Sequence, residues 1–226
     1  MYLPVEIKKL VRKEIFMNQE KGLSYTAFTL CGFLFMVYGI QVFFNLELAY
    51  RPGVEYYRFL TSIFAHSGID HLTNNLFFIG LFGTIYEIQT DSSTFLITFL
   101  VSGLLANLTA FVFYPETFIL GASAGAMGIL AALAVYRPNQ IGLGLGVPMP
   151  MWAVLFAYMF IDLVGIGGAN TTANEAHLAG LLVGAIMGYR IRDGDEGKNE
   201  GVEESDDLGF ENWDERIEAW EEKWMK

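Results

Sequence analysis

Mostly apolar residues fill six stretches of this chain: residues 25–44, 69–88, 94–113, 123–135, 149–164 and 173–189. A helix needs about 20 mostly apolar residues to cross the hydrocarbon core of a bilayer. The pattern therefore predicts an all-α, polytopic membrane protein, a compact bundle of six transmembrane helices. The fourth stretch is short, so its neighbours must shield its ends. Residues 46–67 form a long, aromatic-rich first loop, too apolar to be simply solvated and expected to be partly membrane-embedded. Arg137 and Pro138 end the fourth helix, Gly142, Gly144 and Gly146 predict a short turn, and residues 165–170 a flexible loop. The chain shows no long internal repeat and no separate soluble domain.

Composition agrees with this pattern. Of 226 residues, 53% are hydrophobic and 15% aromatic, too apolar for an ordinary soluble domain. The single Cys31 allows no intrachain disulfide and says nothing about redox compartment. The first apolar run is too long for a signal-peptide core and ends without a small-residue cleavage site, so no cleavable signal is expected.

Charge divides the chain into three parts. Residues 1–23 are basic, with Lys8, Lys9, Arg12, Lys13 and Lys21 among apolar residues. They suit either an interfacial amphipathic helix or a topogenic flank. Residues 24–192 form the nearly neutral six-helix core. Residues 193–226 hold fourteen acids and four bases, almost the whole net charge of −11. Such a tail does not suit nucleic acid or anionic headgroups. Residues 193–209 read as disordered. Beyond them Trp213, Ile217, Trp220 and Trp224 recur at spacings of four, three and four, one face of a short helix. That stripe is either merely exposed or a docking face for the membrane interface or an unidentified partner. With six spans, the N-terminus, Arg137, Arg190 and Arg192 fall on one side and Arg51 and Arg58 on the other. The positive-inside rule then places both termini in the cytoplasm of a multi-pass cell-membrane protein.

Candidate chemistry lies inside the spans, where ionisable groups are costly and usually face a cavity or a partner. In this topology the second, fourth and sixth helices all begin at the outer face. His71 and Asn75, one helical turn apart, stand at the start of the second; Ser123 opens the fourth; His177 lies near the start of the sixth. A serine among glycines and alanines is either a packing residue or a nucleophile. A histidine at the same depth has the right chemistry for its general base. The Asn75 amide, the His71 imidazole and the Ser123 backbone N–H, unpaired at a helix start, are donors for an oxyanion. Asp70, Asp162 and Glu175 are available carboxylates, none assigned to a triad; Asp162 is expected to pair with a helix end or a polar neighbour. The sixth span carries Gly180, Gly184 and Gly188 and the fourth carries Gly125, Gly128, Ala131 and Ala132, and two such small-residue faces can approach closely.

Rival chemistries find less support. The chain has no His-Glu-x-x-His, and His66 and His71 are five apart, so no metal site or other cofactor is predicted. Gly121, Ser123 and Gly125 have the spacing of a soluble-hydrolase elbow, but no strand precedes them. The repeated halves of a transporter are not evident.

These residues resemble the rhomboid intramembrane serine proteases in their six-helix form. The matching pieces are Gly121-Ala-Ser123, His71-Leu-Thr-Asn-Asn75, Ala176-His177-Leu-Ala-Gly180 with its glycine repeat, Gly83-Thr-Ile-Tyr-Glu87, and Arg58 after Tyr57. The resemblance spans about residues 56–192. It implies a Ser123–His177 dyad, an oxyanion hole from His71, Asn75 and the Ser123 N–H, and structural roles for Arg58 and Glu87. It also implies a serine endopeptidase whose substrates are single-span transmembrane proteins, cut near the membrane boundary; an inactive relative that only binds transmembrane segments is the alternative. This chain departs from the family pattern at Ala124 (often Gly), Met127 (often aromatic) and Tyr57 (Trp), and none of these removes a catalytic group.

Overall fold

The computed structural model describes residues 25–113, 115–166 and 173–205. The fold is mostly helical. Helix α1 (Thr26–Phe43) is apolar throughout yet buries only Ala27, Leu30 and Leu34, a single stripe at positions i, i+3 and i+7. In the first loop, the short helix α2 (Arg58–Thr61) runs into a 3₁₀ turn (Ser62–Phe64). The next helical run is interrupted: α3 (Ile69–Phe78) passes through a π turn (Ile79–Gly83) into α4 (Thr84–Gln89). Then come α5 (Ser92–Asn107) and the short α6 (Thr109–Phe113). The Asp91 carboxylate caps α5, accepting from the Thr94 N–H at 2.9 Å and the Thr94 hydroxyl at 2.7 Å. The series ends with α7 (Ser123–Tyr136), α8 (Met151–Gly165) and α9 (Asn174–Ser205).

Helix α7 is the centre. Residues 124–134 are all buried, as expected of a helix apolar on every side. Its most extensive partner is α9, followed by α5. Glycine makes those contacts possible. A Cβ at Gly180, Gly184 or Gly188 of α9 would overlap the carbonyl oxygen of Ala124, Gly128 or Ala132 respectively. On another face of α7, a Cβ at Gly125 would strike the Phe99 ring and one at Gly128 would overlap Ser102, both on α5. The two helices thus lie backbone against backbone along more than two turns.

Two expectations need correction. The glycines after Pro138 do not form a bare turn but a two-stranded antiparallel hairpin, β1 (Ile141–Gly144) with β2 (Val147–Pro150). Its two-residue turn has positive φ at both Leu145 and Gly146, the conformation whose twist matches paired strands. Second, α9 does not stop where the charged tail begins at Asp193 but continues to Ser205. Extending an existing helix adds one hydrogen bond per residue without a new nucleation cost, which offsets the poor propensity of Gly194, Gly197 and Gly201. The basic segment 1–23, most of the predicted 165–170 loop, and the Trp213–Trp224 stripe lie outside the described residues.

Among the described residues, α1 is the one helix long and apolar enough to cross a membrane; α5, α7 and α8 are apolar but shorter.

Candidate active site

The first loop and the segment before α7 hold each other. Tyr50 and Ile119 exchange backbone hydrogen bonds of 2.9 and 2.8 Å, and the Gly121 N–H donates to the Ser62 carbonyl at 2.9 Å. The Asn107 amide locks the same corner, donating to the Phe59 carbonyl at 2.6 Å and to Ser62 Oγ at 3.0 Å. Gly121 has φ +125°, a conformation that side-chain-bearing residues rarely adopt. A Cβ there would also lie 2.6 Å from the His71 ring. This glycine therefore turns the chain into α7 and leaves room for an imidazole beside Ser123.

Ser123 opens α7, and His177 lies in the first turn of α9. Because those helices touch along their glycines, the two side chains meet: Ser123 Oγ is 2.8 Å from His177 Nε2. The other ring nitrogen, Nδ1, is 2.9 Å from Oδ1 of Asp162 on α8. The His177 side chain is 12% exposed and Asp162 5%. The sequence reading left Asp162 out of the site; the structure places it there. The available signal was its isolation as the one acidic or basic residue of α8, where an unpaired charge is costly.

The other sequence-predicted residues of the site are donors. The Ser123 N–H belongs to the first turn of α7 and so has no intrahelical acceptor. Asn75 is buried on α3, which packs against α7, and its Nδ2 has no acceptor among the described residues. His71 packs its ring edge against Gly121, with Nδ1 3.1 Å from Ser67 Oγ.

Behind His71 stands His66, edge-on at 5.2 Å between ring centroids. It is buried, and neither ring nitrogen has a hydrogen-bond partner among the described residues. Its backbone is clamped by the Gln41 amide, which donates to the His66 carbonyl at 2.9 Å and accepts from its N–H at 3.1 Å. Burial, reinforced by the neighbouring His71, pushes the His66 imidazole down to about 4.

The remaining predicted residues lie outside this cluster. Arg58 pairs with Glu55 at 2.9 Å and more loosely with Glu47 at 3.8 Å, within the first loop. Glu87 is buried and accepts from the Thr26 and Ala27 N–H groups at 3.0 and 2.9 Å and from the Ser92 hydroxyl at 2.9 Å. Gly180 and Gly184 act in helix packing, as above. Asp70 is exposed, and Glu175 sits in the first turn of α9. A cavity of about 300 Å³ is lined by Gln41, Leu46, Glu47, Arg58 and Phe118, among others, and not by Ser123 or His177.

Comparison with known proteins adds lineage to this geometry. Residues 53–193 match the family model for the Rhomboid domain. The chain is 27% identical over 139 residues to RHOMBOID-like protein 6, mitochondrial, of Arabidopsis thaliana, covering 61% of this chain and 44% of that protein. It is 31% identical over 133 residues to Rhomboid protease GluP of Bacillus subtilis, covering 58% of this chain and 25% of that one. It is also 29% identical over 170 residues to Inactive rhomboid protein 1 of Drosophila melanogaster, covering 74% of this chain and 11% of that one. The match thus spans less than half the length of each of these three relatives.

Proposed function

The chain belongs to the rhomboid family, and from that premise we propose that it is an intramembrane serine endopeptidase. The observation that carries this reading is the 2.8 Å contact between Ser123 Oγ and His177 Nε2. A relative named as inactive shows that family membership alone does not decide activity, so the reading rests on this pair. Its setting is a bilayer that all six helical runs traverse, with both termini cytoplasmic. Large apolar side chains face outward on several helices, among them Phe28, Phe35 and Phe43 on α1, Phe156 and Phe160 on α8, and Leu182 and Ile186 on α9. Apolar surface on that scale suits lipid rather than water. The substrates are single-span membrane proteins, cut where the segment locally unwinds near the bilayer edge, since a helical amide is shielded by its own hydrogen bonds.

The chemistry follows from the atoms. His177 Nε2 takes the hydroxyl proton as Ser123 Oγ bonds to the scissile carbonyl carbon. The carbonyl oxygen becomes an oxyanion and accepts hydrogen bonds from the Ser123 N–H, the Asn75 Nδ2–H and the His71 Nε2–H. This role requires hydrogen on His71 Nε2, so that Nδ1 accepts from the Ser67 hydroxyl 3.1 Å away. The intermediate collapses, the C–N bond breaks, and His177 delivers its proton to the leaving amine. Water then attacks the acyl-serine, giving a proton to His177; the ester bond breaks, the acid leaves and Ser123 recovers its hydroxyl hydrogen.

The test is cleavage of a single-span model substrate by the detergent-purified protein. Ser123→Ala and His177→Ala are expected to abolish turnover with the fold intact, and Ser123→Ala to lose labelling by an active-site serine reagent. Turnover by either variant equal to wild type would overturn the dyad. Asn75→Ala should lower kcat by about 10²–10³-fold, the usual cost of one oxyanion donor.

A further inference from the structure

We propose that Asp162 is a positioning residue for His177, so that the site works as a Ser123–His177–Asp162 chain rather than a pair; this rests on the protease reading above. Three observations carry it. The geometry is continuous: Asp162 Oδ1 to His177 Nδ1 is 2.9 Å, and His177 Nε2 to Ser123 Oγ is 2.8 Å. The carboxylate is almost fully buried and is the one acidic or basic side chain of α8. Its other oxygen, Oδ2, has no hydrogen bond among the described residues, so His177 is the polar partner those residues give it.

Helix α8 gains nothing from this acid. Asp162 stands in the last turn, where the helix dipole is negative and an anion is unfavourable. No described backbone N–H of α9 donates to it, so it does not cap that helix. What it does accomplish is to fix a tautomer. An ionised carboxylate only accepts, so Nδ1 must carry the hydrogen and Nε2 must present its lone pair to the serine hydroxyl. As Nε2 takes the serine proton, the ring becomes positive between Ser123 and a fixed anion. Asp162 keeps its charge throughout, and no proton passes to it. A protonated Asp162 would do the opposite, donating into Nδ1 and leaving hydrogen on Nε2, where the ring is no base.

The experiment compares wild type, Asp162→Asn and Asp162→Glu in the full chain in detergent, with kcat, KM, thermal stability and the imidazole N–H proton resonance as readouts. Asp162→Asn is expected to lower kcat by roughly 10²–10⁴-fold while KM stays within about twofold. Its melting temperature should stay near wild type, and Asp162→Glu should recover part of the rate. Wild type should show a far-downfield imidazole N–H signal, absent from His177→Ala and displaced in Asp162→Asn. That signal tests the contact even where a variant folds poorly. The inference is overturned if Asp162→Asn keeps kcat within about threefold of wild type, if its loss of rate only follows loss of stability, or if wild type lacks the signal. Full turnover by Asp162→Asn beside a dead Ser123→Ala removes this inference and leaves the protease reading standing. A wild type that neither cleaves nor takes a serine reagent removes both.

Discussion

Single residues around Ser123 are constrained from several directions at once. Gly121 combines a positive φ, a backbone hydrogen bond to the first loop and contact with the His71 ring. Gly121→Ala should therefore act twice. The backbone strain costs on the order of 1–3 kcal/mol. The displaced imidazole should lower kcat by about 10²-fold, the scale of a 1 Å misplacement. Thermal denaturation and turnover of the purified variant measure the two effects separately. His66 makes a different prediction. Its folded value of about 4 lies below the ordinary histidine value of 6.5, so the unfolded chain binds the extra proton first. Stability from this group is then complete above about pH 6.5 and lost as pH falls toward 4. Melting temperature against pH should show this fall, and His66→Phe, which keeps a ring but cannot titrate, should flatten it.

At the scale of elements, the decisive contact is α7 against α9. Its glycines meet carbonyl oxygens rather than side chains, so no rotamer change relieves an added methyl. Gly184→Val should destabilise the protein by more than about 3 kcal/mol, beyond the usual cost of overpacking. It should also reduce turnover, because the same interface sets the Ser123–His177 distance. Unchanged melting temperature and activity would show that the helices do not approach as described. The π turn between α3 and α4 matters in another way. It lies directly after the helix that carries His71 and Asn75, and it packs against α7.

Across the whole molecule, α1 is a long helix with little of its surface buried. It buries one stripe of three residues. The Glu87 carboxylate, about sixty residues away in sequence, accepts from its first two N–H groups. That tie replaces a local cap and binds the first described helix to the bundle. Glu87→Gln should cost about 1.5–3 kcal/mol, the range for hydrogen bonds to a charged group. Since the hydrogen bonds described for Glu87 run to Thr26, Ala27 and Ser92 and not to the Ser123–His177 pair, turnover at low temperature should survive while the melting temperature falls.

The apolar pattern determined the helical runs and their order, because burial in lipid or in a core demands long apolar segments whatever their final partners. It also marked the small-residue faces of α7 and α9, since only residues lacking bulk permit backbone contact. Other features depend on partners distant along the chain. The hairpin at 141–150 needs strand pairing that glycine spacing alone does not reveal. The helix through Ser205 exists because α9 is already nucleated, which composition around Asp193 does not show. Asp162 is the sharpest case: fifteen residues before His177 and on another helix, its direction is set by how α8 lies against α9. A sequence records that a buried carboxylate must find a partner, but only the packing of helices decides which one it meets.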